Sequence, residues 1–246
     1  MALKAAPADQ ALLLDLQALD TKLDQLDHRA RSLPQIAELA SIAAELATAR
    51  QAALQSTGAR EDVSAELKRL ESDVEVVEAR IKRDTERLEA SSSQKDIVAL
   101  EQELTALRRR RDDLEEIELT VMERLEEVES SAAEKIDEVD AIIARQTAVM
   151  AERDALLVNV TNERTQAAAN RSTIESKVPA ELLALYTKQR TRYGYGASLL
   201  QHGSSQAVGV KFLESEMQAI RALAPDDVYI DPQSDAILVR TAESGI

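Results

Sequence analysis

The sequence predicts a mainly α protein: a long antiparallel coiled-coil hairpin followed by a small C-terminal α+β domain. Three observations carry this. From Gln35 to Val178 there is no proline, no aromatic residue and a single glycine, Gly58. Leucine, valine and isoleucine recur there at alternating steps of three and four, which keeps one apolar seam facing a partner helix. The one phenylalanine, Phe212, and all four tyrosines (Tyr186, Tyr193, Tyr195 and Tyr229) fall in the last quarter. The expected division is a hairpin over 1–177, with arms 8–90 and 94–177, and a compact domain over 178–246.

The first arm opens after Pro7 with Leu12, Leu16, Leu19, Leu23, Leu26, Ala30 and Leu33 in heptad order. Ser32-Leu33-Pro34 interrupts it, because proline cannot continue the backbone ladder, so a kink is expected near 34. The pattern resumes at Ile36, Leu39, Ala43 and Leu46, then loses phase across Ser56-Thr57-Gly58. A stutter in the coil would account for that loss. It restarts at Val63 and runs through Leu67, Leu70, Val74, Val77 and Ile81 to Leu88.

The reversal is placed at Ser91, Ser92 and Ser93, since serines compete for backbone hydrogen bonds outside a helix and then cap the next one. The second arm follows from Ile97 and Leu100 to Ile142, and more weakly to Val160. With a tip near Ser92, facing positions should sum to about 185, and an arm of about 80 residues would be on the order of 120 Å long. This register sets Arg108-Arg109-Arg110-Arg111 beside Glu71, Asp73, Glu75 and Glu78. Charge pairing between arms is preferred over a nucleic-acid patch, because four consecutive helical residues point in four directions. Asp84, Arg111, Glu118 and Lys135 fall on the seam, where polar residues specify alignment.

In the tail, Val178-Pro179-Ala180-Glu181 opens a short helix bearing Leu182, Leu183, Leu185 and Tyr186. A hairpin or strand is expected at Val208, Val210 and Phe212, then a helix from Leu213 to Leu223. Strands at Val228–Ile230 and Ile237–Arg240 close the chain.

Composition narrows the function. The formal net charge is −15 over 246 residues, which disfavours broad attraction to nucleic acid or anionic lipid and points to protein partners. No cysteine is present, so thiolate metal sites and disulfides are excluded. No signal-peptide order stands at the N-terminus, and no apolar run approaches the roughly 20 residues that span a bilayer. A cytoplasmic protein without a membrane role is expected. Ser92, Ser205 and His202 form no nucleophilic motif and no phosphate-binding loop occurs, so an enzyme is not expected, nor a cofactor.

Val178-Pro-Ala-Glu-Leu-Leu-Ala-Leu-Tyr186, the glycine-containing link after Arg192, Arg221-Ala-Leu-Ala-Pro225 and Ile237-Leu-Val-Arg-Thr-Ala-Glu-Ser-Gly245 carry a resemblance. Leu119-Thr-Val-Met-Glu-Arg-Leu-Glu-Glu127 adds to it in the second arm. Together these resemble the bacterial proteins that join a coiled-coil hairpin to a C-terminal C4-type zinc ribbon. The likeness covers nearly the whole chain.

Where that family carries two Cys-x-x-Cys knuckles, this sequence has Ser205-Gln-Ala-Val208 and Asp231-Pro-Gln-Ser234. Ser205, Val208, Asp231 and Ser234 cannot form a tetrahedral zinc site, so no metal is expected. An ion worth on the order of 10 kcal/mol to a small ribbon would be lost. An apolar cluster of Val208, Val210, Phe212, Val228, Ile230, Ile237 and Val239, docked on the helix at Tyr186, is expected to replace it. Asp231, Asp235 and His202 are read as an exposed turn rather than a cation site.

The resemblance implies an adaptor role, since relatives are linked to flagellar or secretion machinery, to an alternative sigma factor and in some cases to RNA. The first reading is therefore a non-enzymatic scaffold binding protein partners, with pairing of two rods left open. The alternative is a nucleic-acid-associated regulator. Its contacts would be Lys188, Arg190, Arg192 and Arg221, with Tyr193 and Tyr195 stacking on bases. Against it, those tyrosines could pack the joint between rod and tail.

Overall fold

A proline opens each of the first two helices, where its missing N–H has no intrahelical partner to lose. The structure is a computed structural model and describes residues 3–245. Helix α1 spans Pro7–Arg31, α2 Pro34–Ala90, α3 Gln94–Glu175, α4 Ala180–Tyr193 and α5 Glu214–Ala222. The described residues also form four strands, β1 Ala197–Gln201, β2 Ser204–Ser205, β3 Tyr229–Ile230 and β4 Ile237–Val239, and a 3-10 turn at Ala242–Ser244. The chain divides into two compact units, one comprising residues 35–151 and the other 1–34 with 152–246.

The unit of residues 35–151 is the helical hairpin. Helix α2 ends at Ala90, three serines turn the chain, and α3 starts at Gln94. Along α2 one set of buried or half-buried positions steps by four and three without a break from Gln35 to Leu88, with Ala52, Thr57, Gly58, Glu66 and Thr85 half-buried beside it. The expected stutter at Gly58 is therefore absent. The seam passes through Ala49, Ala53, Ser56, Arg60 and Val63, most of them too small or polar to register as a hydrophobic repeat. Leu54 is 68% exposed and lies off the seam.

The second strand of the seam, on α3, keeps the same alternation from Leu100 to Val149 and includes Arg111, Glu118 and Lys135 as half-buried members. Ion pairs Arg80–Glu103, Arg124–Glu66 and Arg145–Glu45 cross between the helices. Ser56 Oγ lies 3.3 Å from Ser131 Oγ, next to the buried Ala132. These short side chains give the tightest register, with positions summing to 187. The longer ion pairs range from 183 to 190, because an arginine can reach most of a turn along the axis. Arg111 bonds Asp112 at 2.7 Å and Glu115 at 3.2 Å on its own helix, and Glu78 adds only a weaker attraction. Its charge pairing is thus mainly within α3.

The other unit gathers both ends of the chain. Ala5 N donates to Asp226 O at 2.9 Å, Val228 N donates to Leu3 O at 3.1 Å, and Lys4 Nζ sits 3.0 Å from Asp226 Oδ2. The strand order is β2-β1-β4-β3, with β1 and β4 parallel and the outer pairs antiparallel. Successive strand residues point to opposite faces. Ile237 and Val239 accordingly join Leu13, Leu16, Leu182 and Tyr186 in one cluster, while Leu238 joins Leu200, Phe212, Met217 and Ile220 in another.

That arrangement corrects the expected tail core in part: Val228, Ile237 and Val239 pack with Tyr186 as expected, and the other members do not. The strand is Ala197–Gln201, upstream of the expected one. Val208 and Val210 are exposed around Gly209, whose φ of 69° breaks extended geometry. Ile230 is also exposed, and Phe212 packs on the opposite sheet face from Tyr186.

Candidate functional site

Helix α4 carries three of the four basic residues expected to meet nucleic acid, Lys188, Arg190 and Arg192, and the structure separates them. Arg190 turns inward: its Nη2 donates to Asp24 Oδ2 at 2.7 Å and to Asp20 O at 3.3 Å. Arg192 stays exposed with its guanidinium carbon 5.3 Å from the centre of the Tyr193 ring. With Lys188 it borders a shallow face of α4 formed by Leu183, Ala184 and Thr187. Tyr195 lies in a different depression, beside Leu14 and Ala18 of α1. Arg221 is on α5 and pairs with Glu214 at 2.9 Å. The six residues therefore occupy several surfaces rather than one track.

Arg190 belongs to a buried polar hub that sequence reasoning missed. Asp20 is 1% exposed; its Oδ1 accepts from Arg171 Nε at 2.5 Å and its Oδ2 from the Tyr186 hydroxyl at 2.6 Å. Gln17 Oε1 accepts from Gly196 N at 2.8 Å. Burial, and then the hydrogen bond to Asp20, push the Tyr186 phenol far above its ordinary range, so it remains a donor. The hydrogen bond from Arg171 to Asp20 likewise raises the guanidinium further. Every member answers another, which fits fastening α1, α3, α4 and β1 together better than chemistry on a substrate.

A sequence signal for the hub exists. Leu12, Leu13 and Leu14 are consecutive, which makes an apolar arc wider than a two-helix seam requires. Helix α1 indeed buries Gln10, Leu13, Leu16 and Asp20.

Of the positions expected to match zinc knuckles, Ser205, Asp231 and Ser234 are tied locally. Ser205 Oγ donates to Ser198 Oγ at 2.9 Å, and Ala207 N donates to the same oxygen at 2.8 Å. Asp231 is fully buried and accepts from Gln233 N at 2.9 Å and Ser234 Oγ at 2.5 Å, closing its own turn. Val208 is 43% exposed. Asp235 follows with φ of 56°, and His202 takes φ of 50° in the turn between β1 and β2. Among the described residues no three His, Cys, Asp or Glu side chains are grouped to hold a metal ion.

On the hairpin, large apolar side chains stand outside the seam. Leu54, Val76, Ile117, Leu119, Met122 and Ile136 are all exposed. Leu119 and Met122 lie one turn apart and border an open groove with Leu67, Leu125, Glu123, Glu126 and Glu129. At the tip Ser91 is half-buried, while Ser92 and Ser93 are exposed.

The family profile of the CT398-like coiled coil hairpin domain matches residues 16–194. Uncharacterized protein Rv2229c of Mycobacterium tuberculosis strain H37Rv is 34% identical over 241 residues, covering 97% of this chain and 98% of that protein. A solved structure from Mycobacterium smegmatis is similar at a TM-score of 0.84 and 32% identity, over 97% of this chain and 100% of that one. CT398 from Chlamydia trachomatis shares the fold at a TM-score of 0.62 and 16% identity, over 95% of this chain and 98% of that one.

Proposed function

The chain belongs to the CT398-like coiled-coil hairpin family, and on that premise we propose that it is a non-enzymatic adaptor whose hairpin binds protein partners. The observation that carries this is the set of apolar side chains exposed outside a complete seam. The hairpin buries its own interface through the 3–4 repeat, so Leu119 and Met122 add nothing to it. Exposed neighbouring apolar groups beside a groove are what a second protein can cover.

The tail is read as a zinc-ribbon-like fold that stands without metal, with Ser205, Val208, Asp231 and Ser234 at the former ligand positions. Internal hydrogen bonds around Ser205 and Asp231 support that reading. A cytoplasmic location belongs to the same proposal. Among the described residues, no helix is long and apolar enough to cross a membrane.

The stacked Arg192–Tyr193 pair favours a second reading, contact with single-stranded nucleic acid. Arg190 argues against it, since its charge is spent on Asp20 and Asp24. Photo-crosslinking side chains placed at Val76, Ile136 or Tyr195 in the full chain separate the two in cells. Adducts with defined proteins from the hairpin positions are expected. RNA or DNA adducts from Tyr195, with none from the hairpin, would replace the adaptor reading by the nucleic-acid one.

A further inference from the structure

Resting on the adaptor reading, we propose that the groove bordered by Leu67, Leu119, Met122 and Leu125 receives a short cationic amphipathic helix of a partner protein. Leu119 is 62% and Met122 48% exposed, while Leu67 and Leu125 belong to the seam and show only an edge. The apolar floor is thus built partly from side chains already fixed by packing. Met122 supplies an unbranched, polarisable contact that adapts to its guest.

Charge selects the guest. Glu123, Glu126 and Glu129 line the groove, and none of them forms an ion pair among the described residues. Glu115 and Glu138, by contrast, are paired with Arg111 and Lys135. From Asp112 to Asp140, α3 carries thirteen acidic residues against two basic ones, Arg124 and Lys135. Nucleic acid and anionic lipid are repelled by such a surface, and a helix bearing lysine or arginine beside its apolar stripe is attracted.

A second copy of this chain fits poorly. Antiparallel pairing that set Leu119 against Met122 of another copy would also set Glu126 against Glu115 and Glu129 against Asp112. Like charges opposed in that way cost specificity and affinity. A guest helix with apolar residues at i, i+3 and i+4, flanked by cations, meets both features at once.

The test uses the full chain and a fluorescent peptide of about 15 residues, with leucines at i, i+3, i+4 and i+7 and lysines elsewhere. Anisotropy titration should show saturable binding, and the matching leucine–glutamate peptide should not bind. The double variant Leu119→Ser/Met122→Ser should weaken binding roughly tenfold, as loss of a central apolar anchor does. Because both side chains are exposed, its circular dichroism should be unchanged.

Glu123→Lys/Glu126→Lys/Glu129→Lys should weaken binding at least as much. The equally charged control Glu134→Lys/Asp137→Lys/Asp140→Lys should change affinity by less than about twofold. Equal weakening by the control, or indifference to Leu119→Ser/Met122→Ser, would reduce the effect to bulk charge and overturn the proposal. A photo-crosslinker separates this failure from that of the adaptor reading. Protein adducts from Val76 but not from Leu119 would remove the groove and keep the adaptor, whereas none from any hairpin position would remove both.

Discussion

The Tyr186 hydroxyl donates a 2.6 Å hydrogen bond to Oδ2 of Asp20, joining positions 166 apart in sequence. Arg171 holds the other carboxylate oxygen, so one buried acid fastens α1 to both α3 and α4. Tyr186→Phe leaves Oδ2 without its donor and should lower unfolding free energy by about 1–2 kcal/mol. Asp20→Ala should cost more, about 3 kcal/mol, because Arg171 and Arg190 would both lose their central partner. Chemical denaturation of the two variants checks the order. A Tyr186→Phe effect exceeding that of Asp20→Ala would contradict the hub.

The same phenol makes stability depend on alkaline pH. Its folded-state pKa is raised by burial and by Asp20, while a tyrosine in the unfolded chain titrates near 10. Below about pH 10 both states hold the proton and nothing changes. Above it the unfolded state releases the proton and the folded state keeps it, so stability falls as pH rises. The single-group slope is about 1.4 kcal/mol per pH unit. Tyr186→Phe should lack this component, giving a shallower decline than the parent between about pH 10 and 11.5. Parallel declines in the two proteins would place the ionising group elsewhere.

How far the sequence discloses this molecule depends on whether a residue's partner lies in a repeating pattern. The hairpin is legible because Leu100, Leu114, Val121 and Ile142 repeat with the helix, and repetition survives without knowledge of tertiary contacts. At Ala53, Ser56 and Arg60 the seam continues in residues that carry no hydrophobic signal, so an intact coil reads as a stutter. The triple leucine at 12–14 signals extra burial on α1, but the hub's polar pairings are not legible. Asp20 resembles any solvated helix acid until Tyr186 and Arg171 arrive from far along the chain. The tail strands are half legible: Ile237–Val239 is apolar throughout because both sheet faces are covered. Val208 and Val210 alternate like a strand, yet Gly209 turns them outward.

Two glycines should respond in opposite directions to alanine. A Cβ at Gly196 would overlap the Tyr186 ring and stand 2.8 Å from the Tyr186 carbonyl oxygen, which belongs to the backbone of α4. Gly196→Ala should therefore destabilise by about 2–3 kcal/mol, as forced overpacking does. Gly58 sits inside α2, and a methyl group added there would meet nothing within 4 Å. Gly58→Ala should stabilise the hairpin by about 0.5–1 kcal/mol, the difference in helix propensity. Thermal unfolding followed by circular dichroism measures both. A destabilised Gly58→Ala would mean that the coil needs a local irregularity there.

Asp84 offers the sharpest probe of what the seam's polar residues do. It is 4% exposed, bonded to Arg87 at 3.2 Å and 3.7 Å from Arg80, both on its own helix. Its Oδ2 has no hydrogen-bond partner among the described residues. A carboxylate held there loses solvation, and partly exposed arginines return little of it. Asp84→Leu should accordingly raise the stability of the hairpin by about 1 kcal/mol. If the residue specifies alignment, the gain should come with lost uniqueness, because a leucine fits several registers equally well. Disulfide trapping between cysteines introduced at Ser56 and Ser131, which face each other across the seam, reports that register. The parent background should crosslink at this pair alone, and the Asp84→Leu background should also crosslink Ser56→Cys to a cysteine placed one turn away. A stabilised variant that kept the single crosslink would show that the seam's apolar and small residues set the alignment without Asp84.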